Sequence, residues 1–190
     1  CIDAPREMDE NLQRHSLNVA FTNGVIGQWL KLPEPVIKKL VCAGLVHDIG
    51  KTKIPEEILN APRRLTEEEF EIIKAHPVYS YELLWDNVDE DIRLAARHHH
   101  ERLDGKGYPD HIAGDDISLL ARITAISDVY DAMISQRSYK ESMIPFDVLE
   151  KFKKGEFPGL DERLVDLFVR NMVANYRDVK VQMSDGRIGV

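Results

Sequence analysis

His47-Asp48-Ile49-Gly50-Lys51 sets an imidazole, a carboxylate and an ammonium within one short stretch. The first two can hold a metal ion, and the third can meet an anionic substrate. A His-Asp pair by itself is more often a solvated helix end, so its meaning depends on the other histidines. Seven histidines stand at positions 15, 47, 76, 98, 99, 100 and 111, most of them at or beside expected helix ends or breaks. Singly, each has an ordinary reading. His15 on an apolar helix reads as a hydrogen-bonded core residue, His76 before Pro77 as a helix terminus, and 98–100 as a solvated end whose neighbouring imidazoles diverge by about 100°. Helix ends in a helical domain can converge on one cleft, however. Imidazoles and carboxylates together suit Fe, Mn, Zn or Ni, and the bridging capacity of a carboxylate favours a two-metal site able to activate water and clamp a phosphoryl oxygen.

The chain that must position these residues has 190 residues, 43% of them apolar and 31% charged, enough to bury the core of one domain. A net charge of −8 provides no broad basic face, which excludes a binder of DNA or RNA polymers and membrane contact by this domain. An anionic substrate therefore needs local cations or metals. Cys1 and Cys42 are too few for a disulfide framework, and Cys42 within Leu40-Val41-Cys42-Ala43-Gly44-Leu45-Val46 reads as a buried thiol. A reducing cytoplasm fits this usage, and a membrane attachment of the full-length protein stays open. The first residue is not Met, and the chain reads as an excised domain.

Apolar spacing predicts a helix from Met8 to Leu30 carrying His15, with Gly24 and Gly27 weakening it. Pro33 and Pro35 interrupt, and a second, buried central helix runs through Leu40 and Leu45 into His47-Asp48, with Gly50 as its terminator. Ile54–Asn60 reads as a short helix. Thr66 and Glu69 form a capping-box pattern that opens a helix toward His76, which Pro77 stops or bends before it resumes to Trp85. Helices are also expected over 89–100, 117–134, 146–152 and 160–176. Asp104-Gly105-Lys106-Gly107-Tyr108-Pro109-Asp110 must be an ordered loop. The alternating tail 179–190, with its Asp-Gly turn, reads as half of a β-hairpin cut short.

In order along the chain, His15-Ser16, His47-Asp48-Ile49-Gly50-Lys51, Ile54-Pro55, His76-Pro77, His99-His100-Glu101, the Gly-Tyr-Pro loop, Ser127-Asp128-Val129-Tyr130-Asp131-Ala132, and Arg137 with Tyr139-Lys140 resemble the HD-GYP subgroup of the HD-domain metal-dependent phosphohydrolases. The likeness covers roughly residues 10 to 175 and rests on several ordered motifs, which makes it far more specific than His-Asp alone. It implies an all-α fold, an HD-domain helical bundle with a C-terminal helical extension, read as one domain over 8–178, beyond which the alternating residues 179–190 form the short β-like tail. It also implies hydrolysis of cyclic di-GMP to linear pGpG and on to GMP. Carried over by position, the metal ligands are His15, His47, Asp48, His76, His99, His100 and Asp128, holding two divalent transition-metal ions, iron or manganese ahead of nickel or zinc. Asp48 bridges them and, with Lys51 at the scissile phosphate, forms the catalytic pair. Tyr108, Arg137 and Lys140 match positions that contact the nucleotide.

Departures and alternatives accompany the likeness. Asn11 stands where some members have a glutamate supporting a third metal, and Ser138 where many have proline. His98 permits a register shifted by one residue, although Glu101 favours 99 and 100. Asp131 is expected to pair with an arginine, and Arg102 and Lys106 to be surface charges. Met133, Met143 and Met172 are expected as packing. The alternatives in function are a phosphohydrolase for another nucleotide such as cyclic GMP-AMP, and a non-catalytic cyclic dinucleotide sensor or interaction module. The Gly-Tyr-Pro loop is the expected docking point for a protein partner, and a homodimer stays open.

Overall fold

The computed structural model describes residues 6–85, 88–135, 143–175, 181–182 and 188–189. These form nine α-helices: α1 (Arg6–Trp29), α2 (Glu34–Val46), α3 (Glu56–Leu59), α4 (Glu67–Ile73), α5 (His76–Leu83), α6 (Glu90–His98), α7 (Leu119–Ile134), α8 (Pro145–Lys153) and α9 (Glu162–Asn175). Short 3₁₀ turns occupy Ile49–Lys53 and Gly114–Asp116. None of the helices is long and apolar enough to cross a membrane. The all-α expectation is borne out. The tail differs in one respect: Val181 pairs with Gly189 and Gln182 with Ile188 in an antiparallel ladder, so both strands lie within the tail rather than half of a hairpin.

One core forms where α1 packs along α2 and α7, with α6 and α8–α9 closing it. Ile26, Leu40, Ala43, Ala95, Ile123, Ile126, Val148 and Phe168 are fully buried there, the larger side chains contributing about 1.5–3 kcal/mol each. Met133, Met143 and Met172 pack against this core, as expected. The glycines of α1 do not break it, because packing against α2 outweighs a propensity cost of about 1 kcal/mol each. A Cβ at Gly44 of α2 would stand 2.5 Å from Ala20 Cα, so that glycine lets two backbones touch. Asn23, which carried no signal in the sequence, is 0% exposed. Its Nδ2 donates to Leu40 O and Thr124 Oγ1, both at 2.9 Å, and ties α1 to α2 and α7.

Three local expectations are corrected. Helix α2 is not buried all round: Leu40, Ala43 and Gly44 face inward, while Leu45 is 42% exposed and Cys42 is exposed rather than a buried thiol. An apolar run encircles a helix, and only the face against α1 and α7 finds a partner. Gly50 does not terminate α2, which ends at Val46 with His47 at its C-cap. The helix is interrupted beside His76 and resumes, as expected, but the break falls at Lys74-Ala75, ahead of Pro77. Pro77 sits in the first turn of α5, where a missing N–H costs nothing, so that His76 opens that helix. The capping box at Thr66 and Glu69 is present with both reciprocal bonds.

Candidate metal centre

Three of the histidines share one local device. His47 is the C-cap of α2, His99 the C-cap of α6, and His76 follows the last turn of α4. The final carbonyls of a helix lack intrahelical donors. Each imidazole supplies one: His47 Nδ1 donates to Gly44 O at 2.8 Å, His76 Nδ1 to Ile73 O at 2.7 Å and His99 Nδ1 to Ala96 O at 2.8 Å. With the proton on Nδ1, each Nε2 keeps its lone pair and points away from the helix end that its Nδ1 caps.

The three Nε2 atoms meet Asp48, which is 1% exposed. Asp48 Oδ1 lies 3.1 Å from His76 Nε2 and 3.8 Å from His99 Nε2, whereas Oδ2 lies 3.4 Å from His47 Nε2 and 3.5 Å from His15 Nε2. One carboxylate thus stands between two groups of nitrogen donors, His76-His99-His100 on one side and His15-His47 on the other. Asp128, from α7, reaches the same centre with Oδ1 3.1 Å from His15 Nε2 and Oδ2 4.0 Å from His100 Nδ1. Lys51 Nζ closes it on the solvent side, donating to Asp48 Oδ2.

Lone pairs facing carboxylate oxygens repel unless a cation lies between them. His15 Nε2, His47 Nε2 and Asp48 Oδ1 are buried without a hydrogen-bond partner, and leaving such groups unpaired costs about 1–3 kcal/mol each. Divalent ions fit this donor set of imidazoles and carboxylates. The protonation states agree. Burial, together with neighbouring imidazoles, lowers the pKa values of His47 and His99, and burial takes His100 down to about 3, so these rings stay neutral. Burial raises Asp48, but Lys51 and His47 outweigh it and hold the carboxyl well below its usual range. Asp128 is likewise held ionised against burial by His15 and His100. Burial lowers His15, yet Asp128 and Asp131 more than compensate and raise it to about 9, as an anionic site favouring a cation would.

The segment carrying Asp48 and Lys51 is seated on α5 through contacts that sequence spacing did not suggest. Ser80 Oγ donates to His47 O at 2.7 Å and accepts from Gly50 N at 2.9 Å. Nothing in an isolated Ser80 codon flags this role; it exists only because α5 crosses the 49–53 turn.

The Gly-Tyr-Pro loop borders the centre. Tyr108 stacks on His100 with ring centroids 4.6 Å apart, and Lys74 Nζ lies 5.8 Å from the Tyr108 ring centre, a cation not singled out from the sequence. The loop is pinned from inside by Glu101, 3% exposed, whose Oε1 accepts from Asp110 N at 2.6 Å and His111 N at 3.0 Å. From outside, Asp110 receives both Arg97 Nε and NH2, at 2.6 and 2.7 Å, and His98 Nε2 at 3.0 Å. His98 therefore faces the loop, and the register with 99 and 100 inward is the one adopted. Arg102 is not a surface charge: it is half-buried, with NH1 donating to Glu101 O at 2.8 Å. Lys106 is exposed, as expected. Asn11 is exposed and accepts from Arg14 rather than facing the centre. Arg137, Ser138 and Lys140 lie outside the described residues. Glu101→Ala removes the acceptor of two loop amides and is expected to destabilise the protein by about 1–3 kcal/mol. Hydrogen exchange at Asp110 and His111 should accelerate before global unfolding, and unchanged exchange there would refute the pinning role.

A family model described as HD domain matches residues 3–156. The chain is 37% identical over 185 residues to a cyclic di-GMP phosphodiesterase of Pseudomonas aeruginosa, covering 96% of this chain and 44% of that protein. It is 38% identical over 166 residues to 3'3'-cGAMP-specific phosphodiesterase 1 of Vibrio cholerae, covering 86% of this chain and 38% of that one. It thus spans less than half the length of either relative. Among solved structures, an HDGYP protein of Bdellovibrio bacteriovorus superposes with a TM-score of 0.72 at 17% identity, over 89% of this chain and 55% of that one.

Proposed function

The chain belongs to the HD domain family, in its HD-GYP subgroup, whose phosphohydrolases are metal-dependent, and from that premise we propose that residues 8–178 form a phosphodiesterase unit that hydrolyses cyclic di-GMP to linear pGpG. The observation that carries this reading is Asp48, with one oxygen toward His76 and His99 and the other toward His47 and His15. On this reading two ions, iron or manganese, are held by His15, His47, Asp48, His76, His99, His100 and Asp128. When bound, the pair supplies Lewis acidity toward a phosphoryl oxygen and makes water nucleophilic at neutral pH.

The chain's own groups do the rest. Hydrolysis joins a water oxygen to phosphorus, breaks the P–O3′ bond and returns a proton to O3′. Lys51, with 18% of its side chain exposed and its ammonium beside Asp48 Oδ2, is placed to neutralise charge on the phosphate and donate toward that leaving oxygen. Asp48 and Asp128 stay ionised and the His47, His99 and His100 rings neutral, which keeps these donors available at neutral pH. Tyr108, stacked on His100, offers an aromatic wall to the nucleotide. Arg137 and Lys140 remain assigned to nucleotide contact by their motif.

The identity of the Vibrio relative favours one second reading, cyclic GMP-AMP as substrate. One experiment tests both. Protein purified without oxygen and reconstituted with manganese or iron is incubated with cyclic di-GMP, 3',3'-cyclic GMP-AMP and a simple phosphodiester, and products are separated by chromatography. Conversion of cyclic di-GMP to the linear dinucleotide ahead of the others supports the proposal. Preference for cyclic GMP-AMP selects the second reading. Tight binding without turnover, in protein holding two metals, would instead establish a sensor.

A further inference from the structure

His15 lacks the device that orients its neighbours. It lies inside α1, where the carbonyls three and four residues back belong to the helical ladder, so its Nδ1 has no free carbonyl in its own helix. Its Nδ1 instead lies 2.6 Å from Asp131 Oδ2. Asp131 is 1% exposed and sits on α7 one turn beyond Asp128, on the same face. It is itself held: Asn18 Nδ2 donates to Oδ1 at 2.8 Å and Ser135 Oγ donates to Oδ2 at 3.1 Å. The arginine partner expected from the sequence is not its contact. A buried carboxylate fixed by two donors and aimed at a ring nitrogen can select one tautomer and one ring angle.

We propose that Asp131 is the positioning residue for His15, holding Nδ1–H so that Nε2 faces Asp48 and Asp128 as a metal ligand, with Asn18 and Ser135 setting the angle of the Asp131 carboxylate. This rests on the metal-dependent reading above, because it gives His15 Nε2 an ion to bind. It also accounts for the polar cluster on α1 and α7 outside the donor set. Three of the nitrogen donors are oriented by carbonyls at helix C-terminal ends, and His15 in mid-helix borrows a carboxylate from another helix. His15 occupies the side of Asp48 that has fewer imidazoles, so a wrongly turned His15 leaves that side with His47 as its one histidine.

The test measures metal, not turnover. Manganese affinity and stoichiometry are read by competition with a chromogenic chelator for wild type, Asp131→Ala, Asp131→Asn and Asn18→Ala, alongside thermal unfolding of the metal-free proteins. Asp131→Ala is expected to weaken one of two manganese sites by about 10–100-fold. Asp131→Asn, which retains an oxygen to accept Nδ1–H, should restore part of that loss, and Asn18→Ala should produce a smaller loss with the fold intact. A carboxylate that only supports packing would lower the unfolding temperature and leave manganese affinity per folded chain unchanged; that result overturns the inference. If Asp131→Ala fails to fold, Asp131→Asn and Asn18→Ala decide it, and wild-type affinity in both overturns it. Failure of the functional reading looks different: wild type would take up two manganese ions and leave cyclic dinucleotides intact, while the Asp131 and Asn18 effects on manganese persist.

Discussion

Asp48→Ala is expected to fold, to lose the rise in unfolding temperature that manganese gives wild type, and to cleave cyclic di-GMP at least ~10³-fold more slowly, about 4 kcal/mol of transition-state stabilisation. The reason is its position. Its two oxygens serve both groups of imidazoles, so its removal affects both halves of the donor set together. The fold should survive. A buried anion is removed with its desolvation cost, and Lys51, its ion-pair partner, has a side chain 18% exposed that can turn to water. A ligand present at 100 times its dissociation constant stabilises by about 2.7 kcal/mol, so the lost thermal shift is easily read. Retention of two manganese ions at wild-type affinity in Asp48→Ala would sink the assignment of the centre.

Gly50→Ala should act through packing. A Cβ at that position would lie 2.0 Å from His76 O and 2.5 Å from Ser80 N, both backbone atoms that no rotamer change can move. The 49–53 turn would have to lift from α5, breaking the Gly50 N to Ser80 Oγ bond and the Ser80 Oγ to His47 O bond. Overpacking costs about 1–3 kcal/mol and each lost bond about 1 kcal/mol. A loss of about 3 kcal/mol or more follows, roughly 6–12 °C for a chain of this size. Manganese uptake should fall as well, because the same turn carries Asp48 and Lys51 past His76. Urea unfolding within about 0.5 kcal/mol of wild type would show that the backbone relaxes freely there.

Gly50 and Pro77 show where reading one dimension runs short. As letters, glycine after a helical run suggests a terminator and proline after one suggests a stop. In the fold, Gly50 is small because another backbone passes over it, and Pro77 begins a helix. Cys42 and Asp131 fail for the same reason: an apolar run does not say which of its faces is covered, and an acidic residue does not say which base arrives from elsewhere in the chain.

What could be read from the order of residues alone was the chemistry and the class: helices from apolar spacing, the capping box from Thr66 and Glu69, and the metal-binding character from His15, His47-Asp48, His76, His99-His100 and Asp128 in a family-like order. Those follow from local periodicity and from side-chain type, which neighbours in sequence suffice to express. Tertiary structure alone decided that Asp48 faces two groups, that His98 turns to the loop while His99 and His100 turn in, that Ser80, Glu101 and Asn23 tie the elements around the site, and that Asp131 meets His15. Each of these is a contact between residues far apart in the chain, and its direction exists only once α1, α5, α6 and α7 have packed around one core.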